Sequence, residues 1–377
     1  MVHGPIMKVA IVTTGDEIMA GNVVDTNAAW MSDHCWKIGA KVVWRFAVGD
    51  ELKEIGEACR LAGGKADVVL VSGGLGPTAD DITLEAVEQA FHQKMDSVGK
   101  AIPNKVGTAP GCQVTLENST FFFLPGVPKE LYPMFDDFVL PWIREKTAGK
   151  ISYREKVLKC FGPPEATIDS LLKGVELNGV RLSFRVHFPE VWLKLAGWGG
   201  DLGKAKKNVY ARVGKYIFAE DEATLPQAVG ELLQKKKATL SLAESCTGGF
   251  LADWITDVPG ASRYFERGVV SYSNEAKMEL LSVKKETLKK HGAVSEPVAK
   301  EMAEGIRKQS GATYALAITG IAGPSGGTKA KPIGTVYIAL AAPKKTEVKH
   351  FCFPRDRLEF KQLVAATALD WLRRELL

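Results

Sequence analysis

A serine and a cysteine stand side by side in the segment AESCTGG, residues 243–249. An apolar run typical of a β-strand, 238–242, precedes the segment, and a helical pattern, 250–256, follows it. At such a junction free backbone N–H groups and the positive end of a helix stabilise negative charge. The segment therefore predicts a nucleophilic site, with Ser245 or Cys246 as the attacking residue.

A serine hydroxyl is a weak nucleophile without a base beside it, and the C-terminal part of the chain offers a lysine for that role. With Asn274 as helix cap, Lys277 falls at the third helical position. A cation in the first turn opposes the helix dipole, which favours the neutral form of Lys277. Tyr272, at the end of the preceding strand, offers a further hydrogen bond. A solvated lysine and a half-buried strand tyrosine are the alternatives.

Two further features of this region suit a phosphate group. A glycine-rich turn, 319–327, follows a predicted strand at 315–318 and exposes main-chain donors. Arg357 offers a planar guanidinium for an anion. An ordinary turn and an exposed, salt-bridged arginine are the alternatives.

The N-terminal region carries a second candidate site, in the loop at residues 72–81. Its glycines expose backbone N–H groups for a phosphate, and Asp80 and Asp81 carry the oxygen ligands that Mg²⁺ prefers. The alternative is a Gly-Pro loop in which Asp81 caps a helix starting at Ile82. A second loop, residues 14–17, again places a glycine and acids at a strand end, where open parallel sheets bind ligands.

The elements that position these loops follow a regular order. Strand and helix patterns alternate over residues 8–91, which predicts a parallel sheet with helices on both faces. A hairpin at 113–124 and a helix at 128–135 come next. Residues 154–213 are typical of a compact β-α-β-β-α module, and alternating helices and strands resume near residue 225. The fold class predicted is α/β with a small α+β module in the middle.

Composition excludes several protein classes. The 377 residues carry 49 basic and 44 acidic side chains, a net charge of +5, which is too mild to indicate a nucleic-acid binder. The six cysteines form no Cys-x-x-Cys pair, which is typical of reduced thiols in a cytoplasmic protein without structural zinc. No apolar run is long enough to span a bilayer.

Several loops in the first 130 residues together resemble the N-terminal domain of the CinA family, which is similar to molybdopterin-binding domains. The matching segments are 15–17, 25–27, 72–81, 107–111 and 124–128. The resemblance implies an ADP-ribose pyrophosphatase that uses Mg²⁺ or another divalent metal beside Asp80 and Asp81. The nucleotide-binding residues that it implies are Gly15, Asp16, Glu17, Asn27, Gly73, Gly74, Gly76, Thr78, Gly107 and Thr108.

One segment departs from the family pattern. The stretch between Phe91 and the loop at 107–111 is considerably longer in the family and carries further polar residues that face the site. Here it shrinks to residues 92–106. Either the domain has lost part of its site, or the natural chain carries residues that this sequence omits, in which case its intact mass would exceed the 40.9 kDa calculated here.

Residues 160–166 and 184–190 resemble the small central module of the same family, whose fold is similar to a KH domain. KH domains grip nucleic acid through a Gly-x-x-Gly loop, and we expect none in this module. We therefore expect a structural or dimerising role for this module, without RNA binding.

The C-terminal region resembles the CinA C-terminal domain, which is similar to nicotinamide mononucleotide deamidases. The matching segments are 243–249, 265–268, 272–277, 292–296, 319–327 and 331–336. The resemblance implies that Ser245 is the nucleophile, Lys277 the base and Tyr272 an assisting group, with no cofactor. The oxyanion-binding and substrate-binding residues that it implies are Cys246, Thr247, Gly248, Gly320, Gly323, Gly326 and Arg357.

Together these features predict three domains: residues 1–148, molybdopterin-binding-like; 149–222, KH-type; and 223–377, an α/β deamidase domain. The function expected is a cytoplasmic, homodimeric hydrolase that recycles pyridine nucleotides, acting on nicotinamide mononucleotide and ADP-ribose. No membrane or nucleic acid is expected as a partner. The alternatives are a non-catalytic nucleotide-binding scaffold in competence or DNA-damage response, and molybdenum cofactor handling.

Overall fold

The computed structural model describes residues 6–147 and 153–377, and the chain divides into two compact units. The first unit comprises Met1–Glu155 with Ala196–Asp201, and the second comprises Lys156–Leu195 with Leu202–Leu377. The first unit holds one sheet, and most residues of two further sheets belong to the second unit.

The first unit contains a six-stranded sheet in the order β2-β1-β3-β6-β5-β4. Its strands are β1 Lys8–Thr14, β2 Lys41–Val48, β3 Val68–Ser72, β4 Lys100–Ile102, β5 Gly111–Leu116 and β6 Ser119–Leu124. The first three strands and β6 run parallel, whereas β5 and β4 join antiparallel at one side. Strand β3 is buried along its whole length, as a central strand covered on both faces should be.

Helices cover both faces of this sheet, as predicted. They are α1 Asp16–Met19, α2 Thr26–Lys37, α3 Leu52–Gly63, α4 Thr83–Phe91, α5 Met95–Val98, α6 Pro128–Met134 and α7 Leu140–Thr147. Helices α2 and α6 pack on the face that carries Ile11, Leu70 and Phe122. Helices α3 and α4 pack on the opposite face, against Val12 and Val71. The alternation of adjacent residues between two cores follows from the two-residue period of a strand.

Three elements of this unit were not predicted. Helices α1 and α5 and strand β4 have only three or four residues each, too few to show a hydrophobic period. The predicted helix at 128–135 also continues further, through a π-helical turn at Phe135–Val139 into α7. Both α5 and the edge strand β4 lie in the short stretch 92–106, and β4 pairs with β5.

The second unit begins with a four-stranded sheet in the order β10-β7-β9-β8. Its elements are β7 Tyr153–Cys160, α8 Glu165–Leu172, β8 Arg181–His187, β9 Glu190–Trp198, α9 Leu202–Val213 and β10 Ile217–Glu220. Strand β9 alternates strictly, with Val191, Leu193 and Leu195 buried against both helices. The expectation that this module has no Gly-x-x-Gly spacing was wrong, because residues 197–200 and 200–203 both have it where β9 passes into α9.

The C-terminal sheet has five strands in the order β12-β11-β13-β14-β15. They are β11 Leu240–Glu244, β12 Phe265–Val270, β13 Tyr314–Gly320, β14 Thr335–Ala341 and β15 Thr346–Cys352. Strand β11 is parallel to β12 and β13, and the hairpin of β14 and β15 continues the sheet antiparallel from β13. Consequently β11, β12, β13 and β15 all end at the same edge.

Six helices flank this sheet. They are α10 Leu225–Lys235, α11 Phe250–Thr256, α12 Asn274–Leu281, α13 Lys285–His291, α14 Glu296–Ser310 and α15 Arg357–Leu376. Leucines and isoleucines of the strands face α10 and α15, whereas alanines such as Ala317 and Ala339 face α14. Gly305 of α14 lies against the carbonyl of Leu281, where a Cβ would overlap that oxygen. This close approach holds α12, the helix of Lys277, tightly against α14.

Membrane insertion finds no support in these helices. Within residues 6–147 and 153–377, none of them combines the length and the apolar character needed to cross a bilayer.

Candidate functional site

Four chemically useful segments meet at one edge of the C-terminal sheet. Ser245 follows β11, Tyr272 follows β12, the glycine-rich turn at 319–327 follows β13, and Arg357 begins the helix after β15. Parallel strands end at the same edge of a sheet, which is where open α/β folds bind their ligands. The fold thus brings together residues that lie more than 100 positions apart in sequence.

Ser245 and Lys277 are in hydrogen-bond contact. The Lys277 Nζ lies 3.1 Å from the Ser245 Oγ, 2.7 Å from the carbonyl oxygen of Ser271 and 3.2 Å from that of Tyr272. Lys277 is only 1% exposed and Ser245 8%. A neutral amine has two protons and one lone pair, so two carbonyl acceptors direct the lone pair at the serine hydroxyl. This is the arrangement that a serine nucleophile and a lysine base require.

Burial has the largest effect on the pKa of Lys277. It lowers the pKa of the ammonium below the usual 10.5, and the Cys246 thiol raises it by less. Among the described residues, no carboxylate forms an ion pair with Lys277. An uncompensated, buried ammonium is costly, so the environment favours the neutral amine that can accept a proton.

The predicted position of Lys277 in its helix was wrong by one residue. Ser273, and not Asn274, is the N-cap of α12, because its Oγ accepts a hydrogen bond from the N–H of Ala276 at 3.0 Å. Lys277 is therefore the fourth helical residue, and its own N–H donates to the Ser273 carbonyl. The helix dipole weakens within the first turn, so burial explains the lowered pKa better than the dipole does.

Glu244 is a functional candidate that the sequence analysis missed. Its carboxylate is 1% exposed and accepts hydrogen bonds from the N–H groups of Gly249 at 3.1 Å, Leu251 at 3.1 Å and Ala252 at 2.8 Å. These groups are orphan donors at the start of α11. An acidic residue at the end of an otherwise apolar strand, next to the predicted nucleophile, was the signal that could have identified it.

The free backbone donors of the loop lie directly after Ser245. The N–H of Gly248 donates to the Ser245 carbonyl at 3.0 Å, so this group is not free for a substrate. Within the described part of the chain, the N–H groups of Cys246 and Thr247 donate to no protein oxygen. They are therefore the candidates for an oxyanion hole. The Thr247 hydroxyl is also buried without a hydrogen-bond partner among the described residues.

The Cys246 side chain is turned toward the core and away from chemistry. It is 6% exposed and packs among the apolar residues between the sheet and α15, although it lies near enough to Lys277 and Arg357 for their charges to act on its thiol. Burial raises the pKa of its thiol to about 12, so the thiolate that would attack a substrate is scarce near neutral pH. The geometry favours Ser245 over Cys246 as the nucleophile.

Alkylation of cysteines tests this difference. Iodoacetamide at pH 8 should modify the exposed Cys352 readily and Cys246 at least ~10-fold more slowly, because a buried thiol of raised pKa reacts poorly. Peptide mass spectrometry of a time course measures both rates in one sample, with Cys352 as internal control. Equal rates at the two residues would show that Cys246 is accessible and reactive.

Arg357 joins two of the converging segments. Its guanidinium donates from Nη1 to the Gly323 carbonyl and from Nη2 to the Tyr272 hydroxyl, both at 2.9 Å. The Tyr272 side chain is 60% exposed. Its hydroxyl contacts Arg357, and its main-chain carbonyl contacts Lys277. Gly320 suits the base of the turn, since a Cβ there would lie 2.8 Å from the backbone oxygen of Thr335 and 3.0 Å from the Cys246 Sγ.

The N-terminal unit contains a cavity of about 560 Å³ at the ends of β1, β3 and β6. Nine predicted site residues line it: Gly15, Glu17, Asn27, Gly73, Gly74, Gly76, Asp80, Asp81 and Thr108. The other three, Asp16, Thr78 and Gly107, lie outside the lining and make local hydrogen bonds. Asn27 donates to Ser72 and to Gly126, and its buried amide oxygen has no partner among the described residues.

Asp81 forms hydrogen bonds within its own loop. Its carboxylate accepts hydrogen bonds from the N–H and the hydroxyl of Thr78. Burial raises the pKa of Asp81, but these bonds and one from Gly76 outweigh that effect and lower it. The alternative that Asp81 caps the next helix is wrong, because α4 starts at Thr83 and has no side-chain cap.

The donor chemistry of the cavity suits hard cations. Its lining holds six carboxylates and no lysine or arginine: Glu17, Asp25, Asp50, Asp80, Asp81 and Glu130. Burial is the largest influence on the pKa of Asp50 and raises it; a backbone hydrogen bond at Asp16 lowers it, and the charges of Asp16, Glu17 and Asp80 raise it further. Within the described residues, no three acidic, histidine or cysteine side chains converge on one point. Oxygens of a bound ligand would therefore have to complete the coordination of a divalent ion.

Comparison with known proteins identifies the family. The family model of the CinA C-terminal domain matches residues 222–376, and the model described as "Probable molybdopterin binding domain" matches residues 10–145. A CinA-like protein of Geotalea uraniireducens is 43% identical over 411 residues, which cover 98% of both chains. The chain belongs to the CinA family. That assignment confirms the resemblance that the sequence motifs suggested.

Another CinA relative is similar over its whole length, and a solved structure is similar to part of the chain. A CinA-like protein of Desulforapulum autotrophicum is 39% identical over 417 residues, covering 98% of this chain and 99% of its own. A crystal structure of the competence damage-inducible protein A from Klebsiella pneumoniae is 39% identical, with a TM-score of 0.40, over 40% of this chain and 94% of its own. The Geotalea alignment spans 411 positions, more than the 377 residues of this chain, so that relative carries segments absent here.

Proposed function

We propose that the C-terminal domain of this CinA-family chain hydrolyses the carboxamide of nicotinamide mononucleotide, giving nicotinate mononucleotide and ammonia. The observation that supports this proposal most is the 3.1 Å contact between the Lys277 Nζ and the Ser245 Oγ. A serine with a buried amine as its base is suited to acyl transfer from an amide. The resemblance of the motifs around both residues to nicotinamide mononucleotide deamidases supplies the substrate.

The proposed amide hydrolysis assigns a residue of the chain to each chemical step. Lys277 takes the proton of Ser245 while the serine oxygen attacks the carboxamide carbon. The resulting oxyanion accepts hydrogen bonds from the N–H groups of Cys246 and Thr247, each worth roughly 3 kcal/mol in the transition state. Lys277 then gives its proton to the leaving nitrogen, so ammonia departs and an ester remains on Ser245. Water, deprotonated by the same amine, attacks the ester and releases the acid.

We assign binding of the substrate phosphate to the region around Arg357. Arg357 and the glycine-rich turn at 319–327 lie at the same sheet edge as Ser245. In the described structure the guanidinium uses two of its five donors, on Gly323 and Tyr272. The remaining donors and the Tyr272 hydroxyl are suited to phosphate oxygens. In this proposal Tyr272 assists by holding substrate.

For the N-terminal domain we propose metal-dependent hydrolysis of the ADP-ribose pyrophosphate bond. The acidic lining of the 560 Å³ cavity supports it, because a pyrophosphate can enter among six carboxylates only when divalent cations neutralise the charge. Such an ion, held by Asp80 and neighbouring carboxylates, would polarise the phosphate for attack by water. The backbone of the loops at residues 15 and 73–76 would hold the phosphate oxygens.

Two substitutions should separate the activities. Asp80→Asn should lower AMP formation from ADP-ribose by about 100-fold, because the exposed Asp80 loses its charge toward the metal, and should leave ammonia release unchanged. Ser245→Ala should show the opposite pattern. Both products are measured on the same preparations with and without Mg²⁺. Equal loss of both activities in either variant would contradict two independent sites.

The assay that tests the proposal as a whole uses the unmodified chain. Ammonia release from nicotinamide mononucleotide, and AMP release from ADP-ribose with Mg²⁺, are both expected. Failure to consume either nucleotide would favour the alternative function, a non-catalytic scaffold that binds nucleotides.

A further inference from the structure

A buried carboxylate without a cationic partner stands directly before the proposed nucleophile. Glu244 is 1% exposed, and no lysine or arginine of the described residues lies within ion-pair distance of it. Burying a lone carboxylate is costly unless hydrogen bonds satisfy it. Here three backbone N–H groups do so, and a charged acceptor makes such bonds about twice as strong as neutral ones.

The three donors lie on both sides of the junction between the loop and α11. Gly249 is the N-cap between the loop and the helix, whereas Leu251 and Ala252 belong to the first turn of the helix. Glu244 itself is fixed from the other side, because its main-chain carbonyl accepts the N–H of Ser271 at 2.8 Å. The carboxylate therefore ties the helix start to the strand end and fixes both ends of the four-residue loop between them.

That loop carries the groups on which the proposed chemistry depends. Its residues are Ser245, Cys246, Thr247 and Gly248. Glu244 takes up the helix donors that would otherwise compete for an anion, while the N–H groups of Cys246 and Thr247 donate to no protein oxygen among the described residues. Oxyanion donors act only when they are held in place before the reaction, since an error of 1 Å removes most of their effect.

We infer that Glu244 is a positioning residue for acyl transfer at Ser245. It holds the 245–248 loop so that the serine oxygen and the oxyanion donors face one point. The inference rests on the proposed serine hydrolysis, but not on the identity of the substrate. Its consequence is specific: loss of the carboxylate should weaken transition-state stabilisation and leave binding of the ground-state nucleotide nearly unchanged.

Glu244→Gln tests the inference because glutamine has the same shape but only one acceptor oxygen. Its amide N–H₂ would face a backbone N–H, so at least one of the three donors loses its acceptor. We expect labelling of Ser245 by a fluorophosphonate, followed by peptide mass spectrometry, to slow by about 10- to 100-fold. With nicotinamide mononucleotide, kcat should fall by the same factor and KM should change by less than about threefold.

Two further variants make the result decisive. Glu275→Gln is the matched control, because Glu275 is an exposed carboxylate in the first turn of α12, near Lys277, and this variant should label at the wild-type rate. Glu244→Asp keeps the charge with a shorter reach; it should label at an intermediate rate, and it supplies the test if Glu244→Gln does not fold. Thermal unfolding of each variant is recorded so that labelling is compared only between folded samples.

The outcomes separate the inference from the proposed function. Wild-type labelling rates in folded Glu244→Gln or Glu244→Asp, even with a lowered melting temperature, would overturn the positioning role and leave Glu244 a stabilising residue only. Labelling of wild-type Ser245 without ammonia release would reject the proposed substrate and leave the inference testable by its labelling rates. Absence of Ser245 labelling in the wild type would overturn both.

Discussion

Replacement of Ser245 by alanine should remove ammonia release from nicotinamide mononucleotide, with a loss in kcat on the order of 10⁶-fold, the size seen when hydrolases lose a serine nucleophile. The Ser245 hydroxyl is the group that accepts the Lys277 contact, and its neighbour Cys246 is buried with a raised pKa. Among the described residues, no other side-chain hydroxyl lies within hydrogen-bond distance of the Lys277 Nζ. The assay is enzymatic detection of ammonia in the steady state.

Cys246→Ala is the matched control for this prediction. It removes the adjacent sulfur, and since the thiol packs in the core, it should lower stability modestly while kcat stays within about tenfold of the wild-type value. Full activity in Ser245→Ala, or loss of activity confined to Cys246→Ala, would transfer the nucleophile to the cysteine.

Replacement of Lys277 should have the second largest effect. Lys277→Met removes the base, and Lys277→Arg retains a cation that does not deprotonate, so both variants should lose at least about 10⁴-fold in kcat. The arginine variant keeps the positive charge but cannot accept a proton, so it distinguishes a need for charge from a need for a base. Retention of substantial activity in Lys277→Arg would show that a positive charge, and not a proton acceptor, is what the site requires.

The pH dependence of the wild-type enzyme follows from the same residue. Only neutral Lys277 can accept a proton, so kcat should rise with pH and level off above the pKa of this lysine. Burial lowers that pKa, and the rising limb should therefore have its midpoint below 10.5. As pH falls through the lowered pKa, the ammonium forms and activity is lost. A midpoint at or above 10.5 would contradict a buried base; the limb should vanish in Lys277→Met.

The parts of the fold that repeat a pattern were predictable from sequence. The alternating strands and helices around β1, β2 and β3 have clear apolar periods, so their order and parallel arrangement were predicted. Elements without a period were not: α5 and β4 are too short, and β15 alternates mostly exposed residues. Tertiary pairing, and not local propensity, decides such edge strands.

The residues of the candidate site could be predicted from the sequence, but the contacts between them could not. Sequence named Ser245, Lys277 and Arg357, yet it could not show that a lysine 32 positions away reaches the serine, because that depends on how α12 packs on α14. The cap was assigned to Asn274 because both Ser273 and Asn274 are good capping residues, and only the hydrogen bond to Ala276 distinguishes them. Glu244 was missed because its partners are backbone groups, which residue types do not reveal; its place at the end of an apolar strand was the only signal in the sequence.

The covalent intermediate provides the most direct test of the central claim, that Ser245 forms an ester with the nicotinate group. Wild-type enzyme is mixed with nicotinamide mononucleotide, quenched in acid during the first turnover and digested for peptide mass spectrometry. The peptide containing residues 243–249 should gain the mass of a nicotinate mononucleotide acyl group on Ser245. Ammonia release in that turnover with Ser245 unmodified, or with the acyl group on Cys246, would contradict it.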